Sequence, residues 1–275
     1  MIRSFQLEWL KIRHYKVFWI LLGMCLLALL FITSFGVILL EWLKNQGANF
    51  NGIDPSIVPI YDFPDIWQNT AYMGSFLKIF PAFIVIISVN NDIAYNTLRQ
   101  NIIDGISKKE YLLSKIYLIL FLAFISTIFL FIAGLINGSI YSHVKGAEFI
   151  FQDLEFLGAF YYDIVIFSML AFMLSMMIKK AGFVIVALSL YSIIFEPALT
   201  KILETHPYLR DGMWPEIVQF FPIRALNSMI PIPFLKYFFQ EITDYVPIKA
   251  VLISTMWLVI YLTAIYYLLK KKSLN

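Results

Sequence analysis

The chain has 275 residues, of which 60% are hydrophobic and 14% charged, against roughly 45–50% and roughly 25% in a soluble globular domain. A soluble fold of this length would leave much of its apolar excess facing water, so lipid must cover much of the surface. That excludes an ordinary soluble enzyme and a disordered regulator, and a formal charge of only +3 gives no reason to expect a nucleic-acid partner.

Residues 1–16 place Ile2, Phe5, Trp9 and Ile12 on one face at helical spacing, with Ser4, Glu8 and Lys11 opposite. The pattern predicts an amphipathic helix lying in the membrane interface, apolar face down. A spanning helix needs about 20 mainly apolar residues. Six runs meet that need: 17–40, 66–89, 112–136, 156–178, 181–203 and 248–269. The first is too long for a signal-peptide core and no small-residue cleavage site follows it, so it is expected to stay as an anchor. Lys78 and Pro81 interrupt the second, and Lys115 sits near the start of the third. Asp163 lies inside the fourth, which Lys179–Lys180 closes. The fifth is clean only to Phe195 and then meets Glu196–Pro197, so an irregular continuation towards Leu203 is expected. The single cysteine, Cys25, lies inside the first run and excludes a disulfide framework and a cysteine-based zinc site.

Between the second and third spans runs NNDIAYNTLRQNIIDGISKKEYLLSK, Asn90–Lys115. Ala94–Asp104 reads as a short helix, with Gly105 placed to end it in a left-handed cap. Ser107 and Glu110 then have the spacing of a capping box that starts the third span. Tyr95, Leu98 and Ile102 fall on one face of the short helix. Such a ridge suits a groove on another protein, and it also suits packing on the membrane surface or neighbouring loops. Between the fifth and sixth spans, 204–247 is rich in aromatics, and seven of the eleven prolines fall between Glu196 and Pro247. It reads either as short helices on the outer leaflet or as a folded extracellular loop.

Charge sets the orientation. With the N-terminus inside, the inner segments hold thirteen basic residues against four carboxylates, a net of +9. The outer segments hold seven against thirteen, a net of −6. Lys and Arg stay on the cytoplasmic side, so both termini are expected there, with the basic surface facing anionic headgroups.

The amphipathic start with LEWLK, six spans, and TLRQNIIDGISKKEYLLSK after the second span resemble the ABC type-2 permease family, the membrane subunits of ABC transporters, mostly exporters. The resemblance covers nearly the whole chain, and its most specific part is Thr97–Lys115. Family members usually carry Glu at the inner end of the second span, where Asn91 and Asp92 stand here. The resemblance implies an all-α integral membrane protein forming one transmembrane domain over 1–275, in a bacterial cytoplasmic membrane. It would work as a dimer, with a second copy or a related permease, on two cytoplasmic ATPases. Residues 93–107 would be the coupling region, with Tyr95, Leu98, Arg99, Ile102 and Asp104 meeting the ATPase and Glu8 and Lys11 of the N-terminal helix beside them. No cofactor is expected on this chain. ATP and Mg would bind the partner, since no G-x-x-x-x-G-K-[ST] loop occurs here.

Other classes leave weaker traces. An integral membrane enzyme would need clustered polar chemistry, yet His14, His143 and His206 are far apart and no H-E-x-x-H or G-x-S-x-G motif occurs. Asp62 and Asp65 read as a turn before a helix. An ion-gradient-driven secondary transporter would favour inverted repeats and broken helices, and no convincing repeat is visible. Lys78 and Asp163 are the ionisable residues deepest in the spans. A lone charge there costs on the order of 2.5–3.5 kcal/mol, so the two are expected to face the interior and pair, lining a path or bracing two helices.

Overall fold

The computed structural model describes residues 2–46, 59–97, 100, 103, 105–144, 146–206, 208, 212–233 and 244–271. Among them every regular element is a helix. They are α1 (Ile2–Arg13), α2 (Lys16–Asn45), α3 (Ile66–Ser75), α4 (Ile79–Ala94), α5 (Lys108–Tyr141) and α6 (Glu155–Met177). There follow α7 (Ala181–Leu190), α8 (Glu196–Thr205), α9 (Trp214–Val218), α10 (Pro222–Asn227) and α11 (Ile248–Lys271), with a single turn at Ala147–Ile150. Six helical stretches are long and apolar enough to cross a membrane, with α3–α4 and α7–α8 each forming one broken span.

The breaks have local causes. Pro81 cannot donate to the Leu77 carbonyl, and its ring crowds that oxygen, so the chain tightens into a 3₁₀ turn at Phe76–Lys78 before α4 begins. Pro197 removes the bond to Ile193 in the same way, and a π turn at Tyr191–Phe195 joins α7 to α8. The span expected over 181–203 is therefore continuous to Thr205 but widened in the middle. Two other helices outrun the apolar runs that announced them. At about 1.5 Å per residue, α2 is about 45 Å long and α5 about 51 Å, beyond the roughly 30 Å hydrocarbon layer. The added turns, 41–45 in α2 and 137–141 in α5, contain polar residues yet remain helical.

The core is built around α6, the most enclosed of the six spans. It packs against α3, α4, α5 and α11, and Phe160, Ile166, Phe167, Ala171 and Phe172 are sealed within it. A helix apolar all round suits that central place. Two short helices, α9 and α10, fall within 204–247. Helix α10 packs on α8 and α11, and Trp257 Nε1 donates to Phe220 O at 2.8 Å. Residues 234–243 lie outside the described residues.

A close approach fixes α3 to α5. The Trp67 indole is fully buried, stacks on Phe131 with ring centroids 5.3 Å apart, and donates to Ile150 O at 2.8 Å. Gly134 of α5 lies under that indole, and a Cβ there would come within 2.8 Å of Trp67 Cζ3. Gly134→Val is expected to destabilise by about 1–3 kcal/mol through overpacking. A lowered melting temperature in detergent would register it, and an unchanged one would count against this packing.

Candidate functional site

The capping box expected at the start of α5 is present. Glu110 N donates to Ser107 Oγ at 3.2 Å, and Ser107 N donates to Glu110 Oε2 at 2.8 Å. Seven residues past Lys108, Lys115 points inward with no exposed surface at all. Three helices meet on its ammonium. Glu8 Oε1 of α1 accepts from it at 2.5 Å, Ser88 Oγ of α4 accepts at 2.7 Å, and Asp92 Oδ2 of α4 lies 2.7 Å away. Ser88 Oγ in turn donates to Glu8 Oε1 at 2.8 Å. Lys11 Nζ donates to Asp92 Oδ1 at 2.9 Å, and the Lys115 ammonium stands 5.5 Å from the centre of the Tyr111 ring. Two cations and two carboxylates thus balance, with Lys115, Glu8 and Asp92 buried and Lys11 at the edge.

This geometry corrects the sequence reading of α1. Glu8, expected on the polar side beside an ATPase, is only 3% exposed and faces inward four residues from buried Ile12. Glu8 turns inward because Lys115 supplies a counter-charge that a periodicity count cannot include. Lys11 keeps about a third of its side chain exposed, 36%.

The linking segment also starts later than the expected Ala94–Asp104. Ala94 is the last residue of α4, Tyr95 caps that helix, and Asn96 turns the chain at φ 54°. Thr97, Gln100 and Ile103 are helical, Gln100 N donates to Asn96 O at 3.0 Å, and Gly105 closes the segment at φ 88°. Tyr95 therefore belongs to the turn before the short helix rather than to its ridge. Leu98, Arg99, Ile102 and Asp104 lie outside the described residues. Tyr95 and Ile103 are 75% and 70% exposed. Thr97 ties the segment to the charge cluster, donating through Oγ1 to Asp92 Oδ1 at 2.9 Å.

Lys78 and Asp163 meet across α4 and α6. Lys78 Nζ donates to Asp163 Oδ1 at 2.8 Å and to Asn227 Oδ1 at 3.1 Å, and stands 5.4 Å from the centre of the Phe167 ring. Among the described residues, Asp163 Oδ2 is buried without a hydrogen-bond partner. Beyond Asn227 opens a polar cleft of about 290 Å³, lined among others by Glu196, Thr200, Glu204 and Arg224. Glu196 is buried and accepts from Arg224 N at 2.8 Å, while Arg224 Nη2 reaches Glu204 Oε1 at 2.9 Å. Sequence reasoning noted Glu196 only as a span boundary and missed the roles of Ser88, Lys115 and Asn227. The signal available for Lys115 was its place inside an apolar run. For Ser88 and Asn227 there was none.

No protein-family model matches this chain, and no curated protein matches it. Fold and site define a multi-pass, all-helical membrane protein whose spans are cross-braced by two buried groups of charge.

Removing Lys115 leaves two carboxylates facing each other in a dry site, whereas removing Lys11 uncovers one that Lys115 still neutralises. Lys115→Met is expected to cost about 3–5 kcal/mol, and Lys11→Met, at a partly exposed pair, about 0–1 kcal/mol. Thermal unfolding of the two variants in one detergent checks the order. Equal losses would contradict it.

Proposed function

We propose that this chain is the permease subunit of an ATP-binding-cassette exporter, paired with a second permease and driven by separate cytoplasmic ATPase subunits. The observation that carries the reading is the hydrogen bond from Thr97 to Asp92. It joins an exposed helical segment, bounded by left-handed residues at Asn96 and Gly105, to a buried charge cluster shared by α1, α4 and α5. A push on such a segment moves packed helices rather than a slack loop, because a charge cluster that must stay neutral resists being pulled apart. The common end of the bundle supports it too. Lys108 Nζ at the start of α5 donates to Lys270 O at the end of α11 at 3.3 Å, so α1, the linking segment and the end of the last span lie together. This is the basic end, assigned to the cytoplasm by the positive-inside rule.

In this mechanism ATP-driven closure of the ATPases presses on 97–103, with Leu98, Arg99 and Ile102 as expected contacts and Tyr95 beside them. The displacement passes through Asp92 and Lys115 into α4 and α5, and through Glu8 into α1. ATP hydrolysis belongs to the partner. At the far end of α4, Lys78 and Asp163 hold the broken helix against α6 and form one wall of the path to the cleft beside Glu196.

Purification of the chain from its native membrane in mild detergent is expected to bring down an ATPase whose ATP hydrolysis is sensitive to vanadate. Ile103→Asp, at an exposed position, should abolish that association and leave the melting temperature unchanged. Absence of ATPase activity with the wild-type chain, or its full retention by the variant, would contradict the reading.

A further inference from the structure

The polar cleft between α8 and α10 has one carboxylate too many at its depth. Three ionisable side chains are buried at or behind its inner wall, Lys78, Asp163 and Glu196. Lys78 is spent on Asp163 at 2.8 Å and on Asn227 at 3.1 Å, although its charge is still felt at Glu196. Glu196 makes no ion pair among the described residues. Its Oε1 accepts from Arg224 N at 2.8 Å, and its Oε2 is buried with no hydrogen-bond partner among the described residues. The Tyr191 hydroxyl approaches the carboxyl from the π turn without bonding Oε2. A buried acceptor left open in this way is costly, and more so when it carries charge.

The rim does little to offset it. Arg224 is paired with Glu204 at 2.9 Å, and Lys201 is exposed to water, where its charge is screened. The cleft holds about 290 Å³, far more than a bare ion fills. Among the described residues no three His, Cys, Asp or Glu side chains gather to hold a metal. A molecule that carries its charge on a compact hydrogen-bonding head meets these terms. A primary ammonium has three hydrogens to give. One suits Glu196 Oε2, and another suits Thr200 Oγ1 of the cleft wall, whose own hydrogen goes to Pro197 O at 3.0 Å. Apart from Pro197 and Ile223 the lining is polar, which suits a hydrophilic body.

We propose that this cleft binds a small hydrophilic organic amine, with its ammonium seated on Glu196. The inference concerns the cleft alone. A chain that brings down no ATPase would leave the amine site standing, and an amine that does not bind would leave the ATPase reading standing.

Isothermal titration calorimetry of the full chain in detergent at neutral pH tests it, with glucosamine and ethanolamine as probes. Glucose and ethylene glycol, in which a hydroxyl replaces the amine, are the matched controls. At least one amine is expected to bind saturably, and its hydroxyl counterpart to give no heat of binding. Glu196→Gln, which keeps an acceptor for Arg224 N, should weaken the amine about tenfold or more. Lys201→Glu, at the exposed rim, does not depend on the buried carboxyl for folding and should tighten binding about two- to fivefold. Binding by neither amine, equal binding by the hydroxyl counterparts, or an affinity unchanged by both substitutions would overturn the proposal.

Discussion

A lysine ammonium with no access to water must be neutralised by the protein around it, and at Lys115 that requirement sets the position of three helices. The carboxylates come from Glu8, more than a hundred residues away, and from Asp92 on the preceding span. Separating α1 or α4 from α5 would leave a charge in a low-dielectric site, which costs several kcal/mol per ion after relaxation. The α1 helix is therefore braced on the bundle by buried charge. Thr97 extends the same network to the exposed segment.

Helix α4 carries polar anchors at both ends. Lys78, at its N-cap beside the Pro81 break, binds Asp163 and Asn227, and Asp92, near its last residue, binds Lys11 and Lys115. Fourteen residues separate them, about 21 Å along the axis. Between the anchors α4 is apolar from Ile79 to Ile87 and packed on α6, so it acts as a stiff strut joining the basic end to the interior pair. The second broken span reaches the same region from the other side, since Glu196 of α8 and Asn227 of α10 line one polar cleft. Proline sets both breaks, and in each case an ionisable side chain sits beside the freed turn.

What the sequence made legible follows from which forces act locally. Spans could be read because a run of about 20 apolar residues has few other stable places. The capping box could be read because both partners lie within four residues. The pairing of Lys78 with Asp163 followed from the cost of leaving either alone, although only the fold supplies Asn227. Helix ends were harder: α2 and α5 continue as polar turns that hydropathy alone takes for loops. The face of α1 was misread because its decisive contact is non-local, and a carboxylate turns inward only where a distant lysine waits for it. Tyr95 was assigned to the short helix because Asn96, a residue that tolerates the left-handed region, was read as helical instead of as the turn that ends α4.

The central claim is that buried charge, not surface adsorption, holds α1 against α4 and α5. Hydrogen exchange of the backbone amides of Ile2–Arg13, read by mass spectrometry in a bilayer nanodisc, tests it most directly. The account predicts that these amides are protected as strongly as those at the inner end of α4. In Lys115→Gln they should exchange orders of magnitude faster while α6 stays unchanged. Free-peptide exchange of α1 in the wild-type chain, or full protection retained after the substitution, would contradict it.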